Sequence, residues 1–159
     1  MDSYRILTII HILAVLVAFG PTFLQPLLMS QAEKSGVAAT RLALSVTQKM
    51  ERFMTWPGVA VIAVTGTLLI FNDVTNYNDD FPRWLEITIA WFVVAVLVAF
   101  YLSRLIARAI KILTSVPEGA TLPPEYQPLS KRMSMVGGLL HLSVVGILVL
   151  MVLGRTGAF

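Results

Sequence analysis

No Asp, Glu, Lys or Arg occurs between Ile6 and Ala32. A run that long and that apolar exceeds the roughly 20 residues needed to cross a hydrocarbon core of about 30 Å. Three further runs meet the same requirement, and the four spans are expected at about 6–28, 53–72, 84–112 and 133–154. In hydrocarbon a backbone has no water to bond, so each span must satisfy its own amides and carbonyls as a helix. The expected fold class is therefore all-α, a polytopic membrane four-helix bundle filling residues 1–159 as one domain. A helical extension over about 37–52, after a turn at Ser35-Gly36, leads into the second span.

Composition agrees with that reading. Only 13% of residues are charged, against about 25% in soluble domains. The chain has no cysteine, which removes disulfides, thiolate metal sites and thiol catalysis. A net charge of +3 would suggest nucleic acid in a soluble protein, but here the basic residues flank apolar spans. Lipid headgroups are the partner they imply, not nucleic acid. The first apolar run is longer than the core of a signal peptide, and no polar domain follows it.

Orientation follows from where the cations fall. The connections between spans one and two and between spans three and four carry nine of the 12 Lys and Arg, against three on the other side. The positive-inside rule then places both long connections in the cytoplasm and both termini outside. The outer loop "NDVTNYNDDFPR" is acidic, and Trp84 and Trp91 stand near that boundary as interfacial anchors would. Arg104, Arg108 and Lys111 recur at i, i+4 and i+7, a basic cytoplasmic stripe suited to headgroups or an anionic ligand.

The first span carries the residues that ask for an explanation. Thr8, His11, Ala14, Ala18, Thr22 and Gln25 follow helical spacing and form one small and polar stripe. Such a stripe faces other helices, because small residues allow close approach and polar ones find partners across the contact. Gly20-Pro21 should bend the helix beside Thr22. In the fourth span Gly137, Gly138 and His141 share a face with Ser134, and Gly66 in the second adds another small position. His11 and His141 are the only histidines. An imidazole in hydrocarbon is either satisfied by a hydroxyl or carbonyl across a helix contact, or it serves a ligand. Counted along antiparallel spans at 1.5 Å per residue, the two differ by roughly 13 Å in depth, a poor match for a pair of axial ligands. Met151 lies closer in depth to His11, and methionine is a known axial partner of histidine.

The order His11, Gly20, Pro26, then "FMTWPGVAVIAVTGTLLI", resembles a family of small four-helix bacterial proteins described as predicted integral membrane proteins. More distantly the pattern is similar to HemJ-type protoporphyrinogen oxidases and to the CopD-type copper-resistance membrane domain. The resemblance implies a multi-pass protein of the bacterial inner membrane. For the HemJ-type relatives it also implies b-type haem, with the span-one histidine, here His11, as a ligand. Those relatives follow the inner-end proline with arginine and place a second histidine a turn later. Leu27 and Gln31 stand in that region here, so the oxidase activity does not transfer.

The functional expectation is a small inner-membrane protein binding haem b within the bundle and linked to redox or porphyrin chemistry, with His11, Met151 and His141 as candidate ligands. The alternative is a non-enzymatic accessory or structural subunit, packing as a homo-oligomer or on partner membrane helices. A small transporter or channel using the Gly20-Pro21 bend is the third reading. The sequence does not decide whether the chain is an enzyme.

Overall fold

The computed structural model describes residues 3–75, 77 and 81–155. Asp79 and Asp80 of the expected outer loop, and the Arg155 side chain, lie outside the described residues.

The described chain is all helical: α1 Ser3–Phe19, α2 Gln25–Ser35, α3 Val37–Met50, α4 Trp56–Ile70, α5 Arg83–Thr114 and α6 Tyr126–Arg155. These combine into four continuous helical runs, each long and apolar enough to cross a membrane. Only 17–28% of the most apolar window of each run is buried within the fold, so most of its surface faces outward. Leu16, Leu24, Leu97 and Leu142 are all exposed. In water that surface would drive aggregation; against acyl chains it carries no penalty.

Two joints interrupt the first two runs, and each sits at a proline. Between α1 and α2 the chain tightens into a 3-10 turn, Gly20–Leu24, with Pro21 near its start. Pro21 and Pro26 lack amide protons, so the regular α ladder cannot pass through them. Between α3 and α4 it widens into a π turn, Glu51–Thr55, where the Trp56 amide bonds the Glu51 carbonyl. Pro57 follows and cannot donate to the turn before it, which favours the wider register there. The sharp corner between α2 and α3 falls on Gly36 at φ +100°, a conformation that residues with a Cβ rarely adopt.

α1 packs chiefly on α4, and α5 chiefly on α6. The α1/α4 crossing is very close: a Cβ on Gly58 would lie 2.7 Å from the Ala18 Cβ. The α5/α6 crossing is built differently, with tryptophans laid on glycines. The Trp91 ring fills the space where a side chain on Gly146 would go, and Trp84 does the same at Gly154. Both tryptophans thus pack on α6 besides standing near one end of the bundle. The main core joins α5 and α6 to Val37 and Leu44 of α3. A second cluster joins Ala14, Ala18 and Phe19 of α1 to Ile62 of α4 and Val144 of α6.

Candidate functional site: a polar cavity at the basic end of the bundle

His11, Ala14, Ala18 and Thr22 are all buried, so the stripe on α1 faces the bundle. His11 Nδ1 lies 2.8 Å from the Thr65 hydroxyl on α4. That hydroxyl is also 2.6 Å from the Val61 carbonyl, which can only accept. With its single proton donated to Val61, the Thr65 oxygen accepts from Nδ1–H, leaving Nε2 as the lone-pair nitrogen. Gly66 makes room for the ring, since a Cβ there would stand 3.3 Å from His11 Cε1.

The other candidate ligands lie elsewhere. His141 stacks on Phe23 with ring centroids 4.9 Å apart and planes at 19°. Phe23 is 12 residues past His11 on the same helical run, roughly 18 Å along it at 1.5 Å per residue. Met151 lines a small apolar cavity of about 30 Å³ with Val15 and Phe92. The three therefore occupy three separate surroundings. Among the described residues no group of three or more His, Cys, Asp or Glu is placed to hold a metal ion.

The remaining positions divide between contact and open surface. Gly20 and Gly138 have no heavy atom within 4 Å of a Cβ position, so neither is a packing contact within the chain. Gly137 faces a Leu102 methyl at 4.0 Å. The buried face of α6 runs through Leu140, Val144 and Ile147, while Ser134, Gly138 and Val145 are exposed. Pro21 and Thr22 belong to the turn itself, where the Thr22 hydroxyl donates to the Phe19 carbonyl at 2.6 Å. Arg104, Arg108 and Lys111 are all exposed, and the Arg104 guanidinium lies over the Phe100 ring at 4.8 Å.

The largest of the three described cavities, about 220 Å³, opens where α2, α3, α5 and α6 meet at the end of the bundle with the long basic connections. Glu33, Gln25, Ser30, Thr47, Ser130, Ser134 and His141 are its polar lining residues. Glu33 is held from one side. Tyr126 O–H and Ser130 O–H, one turn apart on α6, donate to the same carboxylate oxygen at 2.8 and 2.6 Å. The second carboxylate oxygen receives no described hydrogen bond. Thr47 is 3% exposed, and its hydroxyl has no hydrogen-bond partner. In a helix a threonine commonly bonds a carbonyl three or four residues back, as Thr40 and Thr65 do here; the Thr47 oxygen makes no such bond and is closed off by its surroundings.

A second, smaller cavity of about 30 Å³ shares Gln25, Leu102, Gly137 and His141 with the first. It reaches the π turn, where Glu51 is buried and accepts a hydrogen bond from the Ser103 hydroxyl at 2.9 Å. Thr55, in the same turn, donates to the Ala18 carbonyl at 3.2 Å. The result is a polar track with a carboxylate at each end and His141 between them. Sequence reasoning singled out His141 but neither Glu33 nor Glu51. Their partners lie 93, 97 and 52 residues away, so no local spacing could signal them. Pro57, shortly after it, is the one local hint for Glu51.

A family model described as predicted integral membrane protein, DUF2269, matches residues 5–154. The chain belongs to that family. No curated protein and no solved structure matches the chain. For this DUF2269 member the functional reading therefore rests on the polar track itself.

Proposed function

We propose that this DUF2269 protein is a solute-binding protein of the bacterial inner membrane, and that the cavity bounded by Glu33, Thr47 and His141 is where it binds. The observation that carries this reading is the Glu33 carboxylate in the wall of a 220 Å³ polar space, braced through one oxygen by Tyr126 and Ser130 while the other receives no described hydrogen bond. At about 30 Å³ per water the space holds roughly seven waters, or one small solute in their place. Nine of the 12 Lys and Arg flank this end, and the positive-inside rule supports a cytoplasmic side for the cavity.

Haem-linked redox chemistry is the competing reading. The His11 tautomer suits a ligand, because a fixed Nδ1–H leaves Nε2 to coordinate. The space does not suit it. His11 is buried against Gly66, lines none of the three described cavities, and stands far from His141. Even the largest cavity falls below the roughly 300 Å³ at which cofactor pockets usually begin. As packed here, His11 is a helix-contact residue.

The test exploits the absence of native cysteine. Ser134→Cys places a thiol at the exposed rim of the cavity, and Leu142→Cys places one on the outward face of the same helix. A membrane-impermeant methanethiosulfonate is applied to inside-out and right-side-out vesicles. Ser134→Cys is expected to react in inside-out vesicles alone, and Leu142→Cys in neither. Absence of reaction at Ser134→Cys in folded protein, or equal reaction at both positions, would sink the solute-binding reading. Reaction from the outer side alone would reverse the topology.

A further inference from the structure

We propose that the solute is a small organic cation, a primary alkylammonium, held by the Glu33 carboxylate; the proposal rests on the solute-binding reading above. The cavity lining includes one carboxylate, hydroxyls, a glutamine amide and His141, and no Lys or Arg. Nothing in the wall therefore neutralises Glu33, and the described ion pairs include none to it. Its charge is nevertheless fixed in place, because two hydroxyl donors engage a single oxygen and come from one face of α6. The geometry leaves the other oxygen as an acceptor. An ammonium group supplies three donors. One meets that free carboxylate oxygen, and the Gln25 amide and the Ser30 and Ser134 hydroxyls in the same lining supply further acceptors.

The rest of the lining fits an alkyl tail. Met29, Leu44 and Met133 complete the wall beside these groups. Methionine side chains adapt their shape to short apolar chains. A bare divalent ion fits less well: it requires several oxygen ligands, mostly carboxylates, and Glu33 is the only carboxylate lining this cavity. An anion would meet Glu33 with no cation to offset it. Size and charge thus both select a compact monocation carrying hydrogen-bond donors.

The test uses the Ser134→Cys protein in inside-out vesicles, with propylammonium as the probe and propanol and propionate as controls of similar size. Propylammonium is expected to slow thiol labelling, and the two controls are not. Glu33→Gln removes the charge and keeps the shape, and the concentration of propylammonium needed for protection should rise about tenfold or more, the loss of a charge-assisted hydrogen bond. Tyr126→Phe removes one of the two braces and keeps the charge, so protection should persist. Glu33→Asp, which keeps the charge but withdraws it by one methylene, serves as a second variant should Glu33→Gln fail to fold, and a several-fold loss of protection is expected there. Equal protection by propanol or propionate overturns the proposal, as does protection unchanged in Glu33→Gln or, should that variant not fold, in Glu33→Asp. Labelling without protection by propylammonium defeats this inference alone, whereas absence of labelling defeats the solute-binding reading beneath it.

Discussion

Two glycines on α4 set how closely α1 can approach, and they differ in what stands opposite. At Gly58 the nearest atom is the Ala18 Cβ, 2.7 Å from a new Cβ, with the Ala18 Cα behind it at 3.2 Å. A helix backbone cannot yield locally, so Gly58→Ala must push the helices apart. At Gly66 the neighbour is the edge of the His11 ring, which can tilt by a few tenths of an ångström. Gly58→Ala is therefore expected to destabilise by about 1–3 kcal/mol and Gly66→Ala by less. Thermal denaturation in mild detergent gives the order, and Ala18→Gly should rescue Gly58→Ala while leaving Gly66→Ala unchanged. A larger loss at Gly66 would mean that the His11 ring is more rigidly held than its contacts with Thr65 and Ile62 imply. The buried stripe of α1 was legible from the sequence because it depends on one helix alone. The contact glycines were not: Gly146 and Gly154 matter because Trp91 and Trp84 face them, and Gly138 looks the same in the sequence but faces open surface.

Among the elements, the joint between α3 and α5 is the most specific. The Arg41 guanidinium donates to the carbonyls of Leu113 and Val116 at 2.8 and 2.7 Å. These lie in the last turn of α5 and just beyond it, where carbonyls lose their helical partners. A cation at that point also suits the negative end of the helix dipole. Arg41→Met keeps most of the side chain's bulk and removes both donors. It should increase hydrogen exchange across residues 113–120 and lower stability by about 1–3 kcal/mol, since bonds from charged donors are individually strong. Exchange unchanged in that segment would show that the end of α5 is held by packing, with Leu113 already fully buried. Proline placed one helix joint in view beforehand, at Gly20-Pro21, whereas the extension over 37–52 was expected to run straight into the second span and the joint before Pro57 was not foreseen. Whether each joint would tighten or widen was not visible, because that depends on which carbonyls find partners in neighbouring helices.

At the scale of the whole molecule, the four apolar runs settled the fold class, since nothing but a helical bundle satisfies so many backbone groups in hydrocarbon. The cavity was hidden because its walls come from four helices spread across the chain. Purified protein is expected to show no Soret band, either as isolated or after addition of haemin, in both oxidised and dithionite-reduced spectra. A band that His11→Ala abolishes would restore the haem reading and require the helices around Gly66 to separate. An assembly role draws on a different surface, the exposed face of α6 around Met135, Gly138 and Leu142, where a small residue between large ones offers a seat for another helix. The mass of the protein–detergent complex bears on it directly, with a monomer expected if that face meets only lipid.

The pairing of α1 with α4 and of α5 with α6 also bears on how the protein is made. Each strong contact is closed by segments emerging next to one another as membrane spans. The first half of the bundle can thus settle before the ribosome has finished the second, and few long-range searches remain once synthesis ends. What must come last is the meeting of the halves around Glu33 and Tyr126. The binding cavity is therefore the final part of the molecule to take shape.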